Sequence, residues 1–182
     1  NDEAIRSFKE ALAVDAKNAF IHLSLGYVYD SSNNFATAIK YYGNALAIDP
    51  DYPDVWNNLA ISRYFSGDET GAIRDFKRAI ELNPKFPYPY NNLGFLYLEK
   101  NDLKAAEKYL LEALAANPRE PNIFGEIMAG LAIVDSLNGD KKEALERKKK
   151  AISANPNLAE MSYLSQGLRW SKRLIGVFTN IN

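Results

Sequence analysis

The sequence predicts an all-α solenoid of stacked antiparallel helix pairs. Three observations predict it. Pro50, Pro84 and Pro118 follow one another at intervals of thirty-four residues. Leu25, Leu59 and Leu93 recur in the same frame, as do Ala38, Ala72 and Ala106, and Ala45, Ala79 and Ala113. Between these marks, apolar residues keep helical spacing. A fixed period of about 20–50 residues marks units that stack on their neighbours instead of closing around one core. Such an array offers an extended surface and not an enclosed pocket.

Each period reads as two helices. Val55, Trp56, Leu59, Ala60 and Tyr64 follow helical spacing. Gly67-Asp68 then breaks the helix. Ala72, Ile73, Phe76, Ala79 and Ile80 form a second stripe, and Asn83-Pro84 ends it, because proline disfavours the helical region for the residue before it. Carried along the chain, the pattern predicts helices over about 2–14, 19–31, 35–48, 53–65, 69–82, 87–99, 103–116, 121–137, 141–154 and 158–175, with no strand. Leu59 and Leu93 are expected between the helix pairs.

The repeated residues are Trp56-x2-Leu59-Ala60, Ala72-x3-Phe76-x2-Ala79 and Pro84. Tyr90-x2-Leu93-Gly94-x2-Tyr97, Ala106-x3-Leu110-x2-Ala113 and Pro118 match them, as do His22-x2-Leu25-Gly26-x2-Tyr29, Ala38-x3-Tyr42-x2-Ala45 and Pro50. This pattern resembles the tetratricopeptide repeat family. The resemblance implies a right-handed superhelix of helix pairs. Small residues admit close helix approach, and large ones fill the gaps.

The domain organisation follows as one array over 1–182. It holds a partial repeat at 1–16, full repeats at 19–52, 53–86 and 87–120, a longer repeat at 121–158, and a capping helix with tail at 159–182. The partial repeat, Ala4-x3-Phe8-x2-Ala11, is a second helix without its first. With no initiator methionine before it, the chain reads as a fragment or processed form. Pro118 and Pro156 are thirty-eight residues apart, so the longer repeat carries four extra residues. Aligning Met128 with Trp56 puts them near Pro121–Gly125, as an added turn at the start of that helix. After Pro156, Ser162, Ser165 and Gln166 replace the repeat signature, which fits a capping helix.

Composition narrows the function. Net charge is −1, which argues against bulk attraction to nucleic acid or an anionic membrane. The charge is uneven: −4 over residues 1–60, zero over 61–120 and +3 over 121–182. There is no cysteine, which excludes disulfides and thiolate metal sites. His22 is the sole histidine and stands at a packing position. The chain therefore has no zinc set and no nucleophile paired with a histidine base. Glu99, Asp102, Glu107 and Glu112 read as solvated charge and not as a paired acid and base. No catalytic residue, metal or cofactor is expected. No apolar run nears the roughly 18 residues that span a bilayer, and no signal segment is recognisable. The compartment stays open.

The resemblance implies that the first helix of each repeat lines a concave groove that holds a partner protein or peptide. By register the groove candidates are Phe20, Leu23, Ser24, Tyr27 and Asp30, then Asn57, Asn58, Ile61, Tyr64 and Phe65, then Asn91, Asn92, Phe95, Leu98 and Glu99, then Glu126, Ala129, Gly130, Ile133 and Leu137. Asn58 and Asn92 stand at equivalent places, and a carboxamide satisfies both the N–H and the C=O of an extended peptide. Asn57 and Asn91 are weaker candidates, since they also fit as fillers that bridge helices. Tyr27, Tyr64, Phe65 and Phe95 supply aromatic contact area. Family members that clamp a chaperone's C-terminal carboxylate use cations and asparagine where this chain has Leu23, Tyr27, Asn91 and Phe95, so that partner is not expected.

Two further surfaces stand out. Lys141, Lys142, Lys148 and Lys149 form a basic stretch on the last repeat's second helix, read either as a charged outer face or as a dock for an acidic partner or a phospholipid headgroup. Without interleaved aromatics it is a poor nucleic-acid platform. Trp170, Leu174, Ile175, Val177 and Phe178 are too apolar for a free terminus and either fold back or meet another chain. Ile5 and Phe8 at the open N-terminal face offer a route to homo- or hetero-oligomers. The leading expectation is a non-catalytic scaffold or adaptor. The alternatives are the recognition arm of a larger enzyme and an oligomerising assembly factor.

Overall fold

The structure is a computed structural model that describes residues 2–182 apart from the side chains of Gln166 and Gly167. The expectations that touch Asn1 and Gln166 lie outside the described residues. The described residues are helical without a strand, and the chain divides into two compact units, Asn1–Pro84 and Lys85–Asn182. The all-α class of stacked helix pairs is as the sequence predicts.

The first unit holds α1 (Asp2–Val14), α2 (Ala19–Ser31), α3 (Phe35–Ile48), α4 (Pro53–Phe65) and α5 (Glu69–Leu82). Helix α2 pairs with α3 and α4 with α5, and α3 packs on α4. The second unit holds α6 (Pro87–Glu99), α7 (Leu103–Ala115), α8 (Pro121–Asn138), α9 (Lys141–Ala154) and α10 (Lys172–Thr179). There α6 pairs with α7 and α8 with α9, α7 and α6 both meet α8, and α10 lies on α8.

Local chemistry starts and stops each helix. The first helices α4, α6 and α8 open on Pro53, Pro87 and Pro121, where the missing N–H is no loss. The second helices open on carboxamide or carboxylate caps: Asn34, Asp68, Asp102 and Asp140 accept from the backbone N–H three residues on. In the turn between the two helices, Asn33, Gly67, Asn101 and Gly139 have φ of 57°, 94°, 59° and 89°. This left-handed region suits glycine and asparagine above other residues. That explains why only these two types hold the position.

Packing follows the same register. Leu25, Leu59 and Leu93 are buried, as are all the repeat alanines of the second helices. A Cβ on Gly26 would lie 2.4 Å from the Tyr42 ring, and one on Gly94 would lie 2.6 Å from Leu110. Each glycine is therefore the seat for a large side chain of its partner helix. Helix α8 is 18 residues long against 13 for α6, and it begins at Pro121. The extra residues of this repeat thus lengthen its first helix.

One pair of positions joins the two helices of every repeat with changing chemistry. In the first repeat Tyr29 stacks on Tyr41 at 5.5 Å, and in the third Tyr97 stacks on Tyr109 at 5.5 Å. In the second the same places hold an ion pair, Arg63 to Asp75, with Arg74 adding a contact at 3.2 Å. In the last the order is reversed, with Asp135 and Arg147 at 3.2 Å. Burial pushes the Asp75 carboxyl up, and Arg63 and Arg74 pull it back.

The expected single helix over 158–175 is not formed. A 3₁₀ turn at Pro156–Ala159 and a π-helical turn at Tyr163–Gly167 precede α10. Arg169 at φ 55° breaks the helical path, and Ser171 then caps a new helix by accepting from the Leu174 N–H at 3.3 Å. Amphipathic spacing runs through the break, which is why it reads as one helix.

The reversed pair in the last repeat makes a direct test. Arg63→Asp alone leaves Asp75 facing a second carboxylate in a buried site and is expected to cost on the order of 3 kcal/mol or more in urea unfolding. Arg63→Asp with Asp75→Arg should recover most of that loss. A double variant no more stable than the single would mean that the pair does not couple the helices.

Candidate functional site

The faces that the first helices turn away from their partner helices differ between the units. In the first unit the α2 stripe Phe20, Leu23, Ser24 and Tyr27 follows i, i+3, i+4, i+7 spacing. Its opposite stripe, His22, Leu25 and Gly26, is buried. Phe20 and Tyr27 are each 63% exposed. On α4, Asn58, Ile61 and Tyr64 are half-buried and Phe65 is exposed. Phe65 stacks on Phe35 at 5.5 Å and meets Tyr64 edge-on at 5.3 Å, so the aromatic edge is held in place. The Ser62 hydroxyl donates to Asp30 at 2.7 Å and ties α4 to α2. His22 is buried, with Nε2 3.2 Å from the Ala16 carbonyl oxygen, in the packing role expected of it.

Two of the asparagine assignments need correction. Asn57 and Asn91 are buried and do not face solvent. Asn57 donates to the Asn58 side-chain oxygen at 3.3 Å. Asn91 donates to Glu126 at 3.3 Å across the α6–α8 contact. Asn91 bridges two helices and Asn57 holds its neighbour on α4, and helical register explains the shift: each precedes by one position the half-buried Asn58 or Asn92.

In the second unit the corresponding face is covered from within. Ala129, Gly130 and Ile133 on α8 and Leu98 on α6 are buried, although they stand at groove register. A Cβ on Gly130 would lie 3.3 Å from the Phe95 ring, so Phe95 rests over that glycine. Trp170 stacks on Phe95 at 4.8 Å and meets Phe178 edge-on at 5.6 Å. Phe95 is thus a contact to the chain's own C-terminal segment and not an open one. Glu99 accepts from the Ser171 N–H at 3.3 Å. Arg173 donates to the Leu98 carbonyl and to Asn101. The apolar tail folds back, one of the two outcomes expected of it.

Lys148 also leaves its expected place. Its ammonium donates to the carbonyls of Thr179 and Ile181, at 3.1 and 2.9 Å, and lies 5.6 Å over the Phe178 ring. Desolvation pushes its pKa down. It is a cap for α10 and not part of a solvated patch. Lys141, Lys142 and Lys149 are exposed, and Lys149 pairs with Glu146 at 2.9 Å. The roles of Lys148 and Arg173 were hidden from sequence reasoning because their partners lie 31 or more residues away. The one signal was the apolar character of the tail.

Among the described residues no group of three or more His, Asp or Glu side chains could hold a metal ion. No helix among them is long and apolar enough to cross a membrane. The described side chains thus supply contact area, hydrogen bonds and charge.

Comparison with known proteins fits this arrangement. The family model described as TPR repeat matches residues 31–67 and 62–101, and one described as tetratricopeptide repeat matches 88–120. The chain belongs to the tetratricopeptide repeat family. A search of curated proteins returns no match. Among solved structures, MamA is 23% identical over 87% of this chain and 91% of its own, with a TM-score of 0.69. A chain of the APC/C hetero-tetramer Cut9–Hcn1 is 19% identical over 92% of this chain and 34% of its own, with a TM-score of 0.76. YrrB, a TPR protein with an unusual peptide-binding site, is 16% identical over 93% of this chain and 88% of its own, with a TM-score of 0.63. At these identities the likeness is one of fold. Tetratricopeptide repeats support a protein–protein interaction scaffold, and with it a protein or peptide partner.

Glu126, which receives the Asn91 amide, has its pKa raised from 4.5 to about 7 by burial, against a smaller lowering from that hydrogen bond. As pH rises the unfolded chain loses this proton first. Stability present below 4.5 is therefore lost progressively up to about 7. Glu126→Gln should flatten that part of the profile in thermal melts between pH 4.5 and 8. Equal losses in the variant and the parent would place Glu126 in solvent.

Proposed function

We propose that this tetratricopeptide protein is a non-catalytic scaffold that binds a partner peptide or protein segment on its first-helix faces. In the first unit Tyr27, Ile61, Tyr64, Phe65 and Asn58 would carry the contact. One observation carries the reading: Phe20 and Tyr27, one α-helical face apart by seven residues, are each 63% exposed on a helix whose other face is fully packed. Large aromatics left in water on a rigid helix are contact residues waiting for a partner, and they lose little freedom on binding. The Tyr27 hydroxyl and the Asn58 carboxamide would supply polar specificity beside them. YrrB, a fold relative with a peptide-binding site, supports the class of ligand. The remaining basic residues Lys141, Lys142 and Lys149 serve solvation in this reading.

Selection of peptides from a random display library against the intact chain tests it. Enriched peptides should lose about tenfold or more in affinity with Tyr27→Ala, because truncated aromatic anchors dominate interface energetics. Asn58→Ala should cost roughly two- to tenfold. Lys141→Glu with Lys142→Glu should change little. Peptides that bind the Tyr27 and Asn58 variants as they bind the parent, and lose affinity on the lysine changes, would move the partner to the basic surface and defeat the reading.

A further inference from the structure

Helix α10 does not continue the repeat stacking; it lies on the second unit as a ligand would. The path to it contains two irregular turns and the left-handed Arg169. Its apolar side chains Leu174, Ile175 and Phe178, with Trp170 just before it and Ile181 just after it, are buried. Trp170 anchors it on Phe95 of α6.

The two ends of α10 are held by groups of the right sign. A helix carries partial positive charge at its N-terminus and partial negative charge at its C-terminus. The Glu99 carboxylate receives the N–H of the N-cap residue Ser171, and the Lys148 ammonium donates to the carbonyls of Thr179, the last residue of α10, and of Ile181 just beyond it. Both clamps come from the repeats, Glu99 from α6 and Lys148 from α9. They hold opposite ends of a helix of eight residues, about 12 Å at 1.5 Å per residue. Arg173 adds a contact to the Leu98 carbonyl at the C-terminal end of α6, where a cation is favoured. The site thus reads helix polarity and an aromatic anchor.

We propose that this face of α6 and α8 is a docking site for a short amphipathic helix with an aromatic anchor, that α10 is its resident occupant, and that a partner helix of the same pattern enters by exchange. The pattern is an aromatic residue followed by a basic residue at the third position and apolar residues at the fourth, fifth and eighth, as in Trp170, Arg173, Leu174, Ile175 and Phe178. Helix-in-groove recognition uses such spacing. The proposal rests on the reading of first-helix faces as docking faces. Because α10 is tethered, it competes at an effective concentration on the order of millimolar, so exchange favours a tighter helix or a loosened tail.

The probe is a fluorescein-labelled synthetic peptide of residues 168–182, titrated into the intact chain. Against Trp170→Ala with Phe178→Ala, it should bind at least about tenfold tighter than against the parent, because the resident copy no longer competes. Adding Phe95→Ala to that variant should remove most of the gain. A helical, monodisperse variant that binds the peptide no better than the parent overturns the proposal. If the variant does not fold, hydrogen exchange on the parent decides. Amides of 172–179 that open while α6 and α8 stay protected support exchange; amides that open only together with α6 and α8 make α10 a fixed part of the core and overturn it. Dimerisation of the parent that the peptide dissolves would assign the face to a second copy's α10 and overturn the assignment to a foreign helix. A negative result here, with library peptides still reading Tyr27, removes this proposal and leaves the function of the first unit standing.

Discussion

Everything in this fold depends on how closely the two helices of a repeat approach. The second helices bring alanine to the same two positions each time: Ala38, Ala72, Ala106 and Ala144, and Ala45, Ala79, Ala113 and Ala151. All eight have no exposed surface. A methyl group at the contact lets helix axes approach toward the short end of the usual range of roughly 8–10 Å. Gly26 and Gly94 go further and admit the whole of Tyr42 or Leu110. Small residues on one helix thus make room for a large residue from the other. A larger side chain at any of these positions would push the pair apart and displace the first-helix face that it supports.

That fixed spacing leaves freedom elsewhere. The pair of positions filled by Tyr29 and Tyr41, Arg63 and Asp75, Tyr97 and Tyr109, and Asp135 and Arg147 keeps its place while its chemistry alternates between ring stacking and ion pairing. Both solutions bridge two helices already held at one distance. The ion pairs carry a specificity that the stacks lack, since a misregistered partner would leave a buried charge alone. Reversing the sign order between the second and last repeats makes their helices poor substitutes for one another. In a chain of similar units, that discourages pairing of the wrong helices.

The repeats were legible in the sequence because their signals are local and recur. Pro50, Pro84 and Pro118 recur at thirty-four residues, Gly67 breaks a helix, and the thirty-eight residues from Pro118 to Pro156 reveal four extra ones. The C-terminal segment was not legible. Its apolar spacing alone could not reveal that Arg169 turns left-handed or that Trp170 reaches back to Phe95. The candidate site divided the same way. Register put Tyr27 and Phe65 on an exposed face and ranked Asn57 below Asn58, but it could not show that Asn57 is buried, because adjacent helical positions lie 100° apart and both border the groove stripe. Lys148 looked like one more solvated cation, since its carbonyl partners come from a distant part of the chain.

One register row shows how a single repeat design serves two states. Tyr27, Ile61, Phe95 and Ile133 occupy equivalent places on successive first helices. Tyr27 is largely exposed, Phe95 is covered by Trp170, and Ile133 has no exposed surface. Ile61 is half-buried. Tyr27 keeps a hydroxyl for water when no partner is present, whereas Phe95 and Ile133 are covered by the chain itself. The face of the first unit is therefore partly open, and the face of α6 and α8 is closed. Any ligand for the latter must replace cover with cover. That requirement explains why its occupant is supplied by the chain itself and why both ends of that occupant are clamped by charge, which gives a docked helix a defined place without enlarging the apolar surface that would be bared when it leaves.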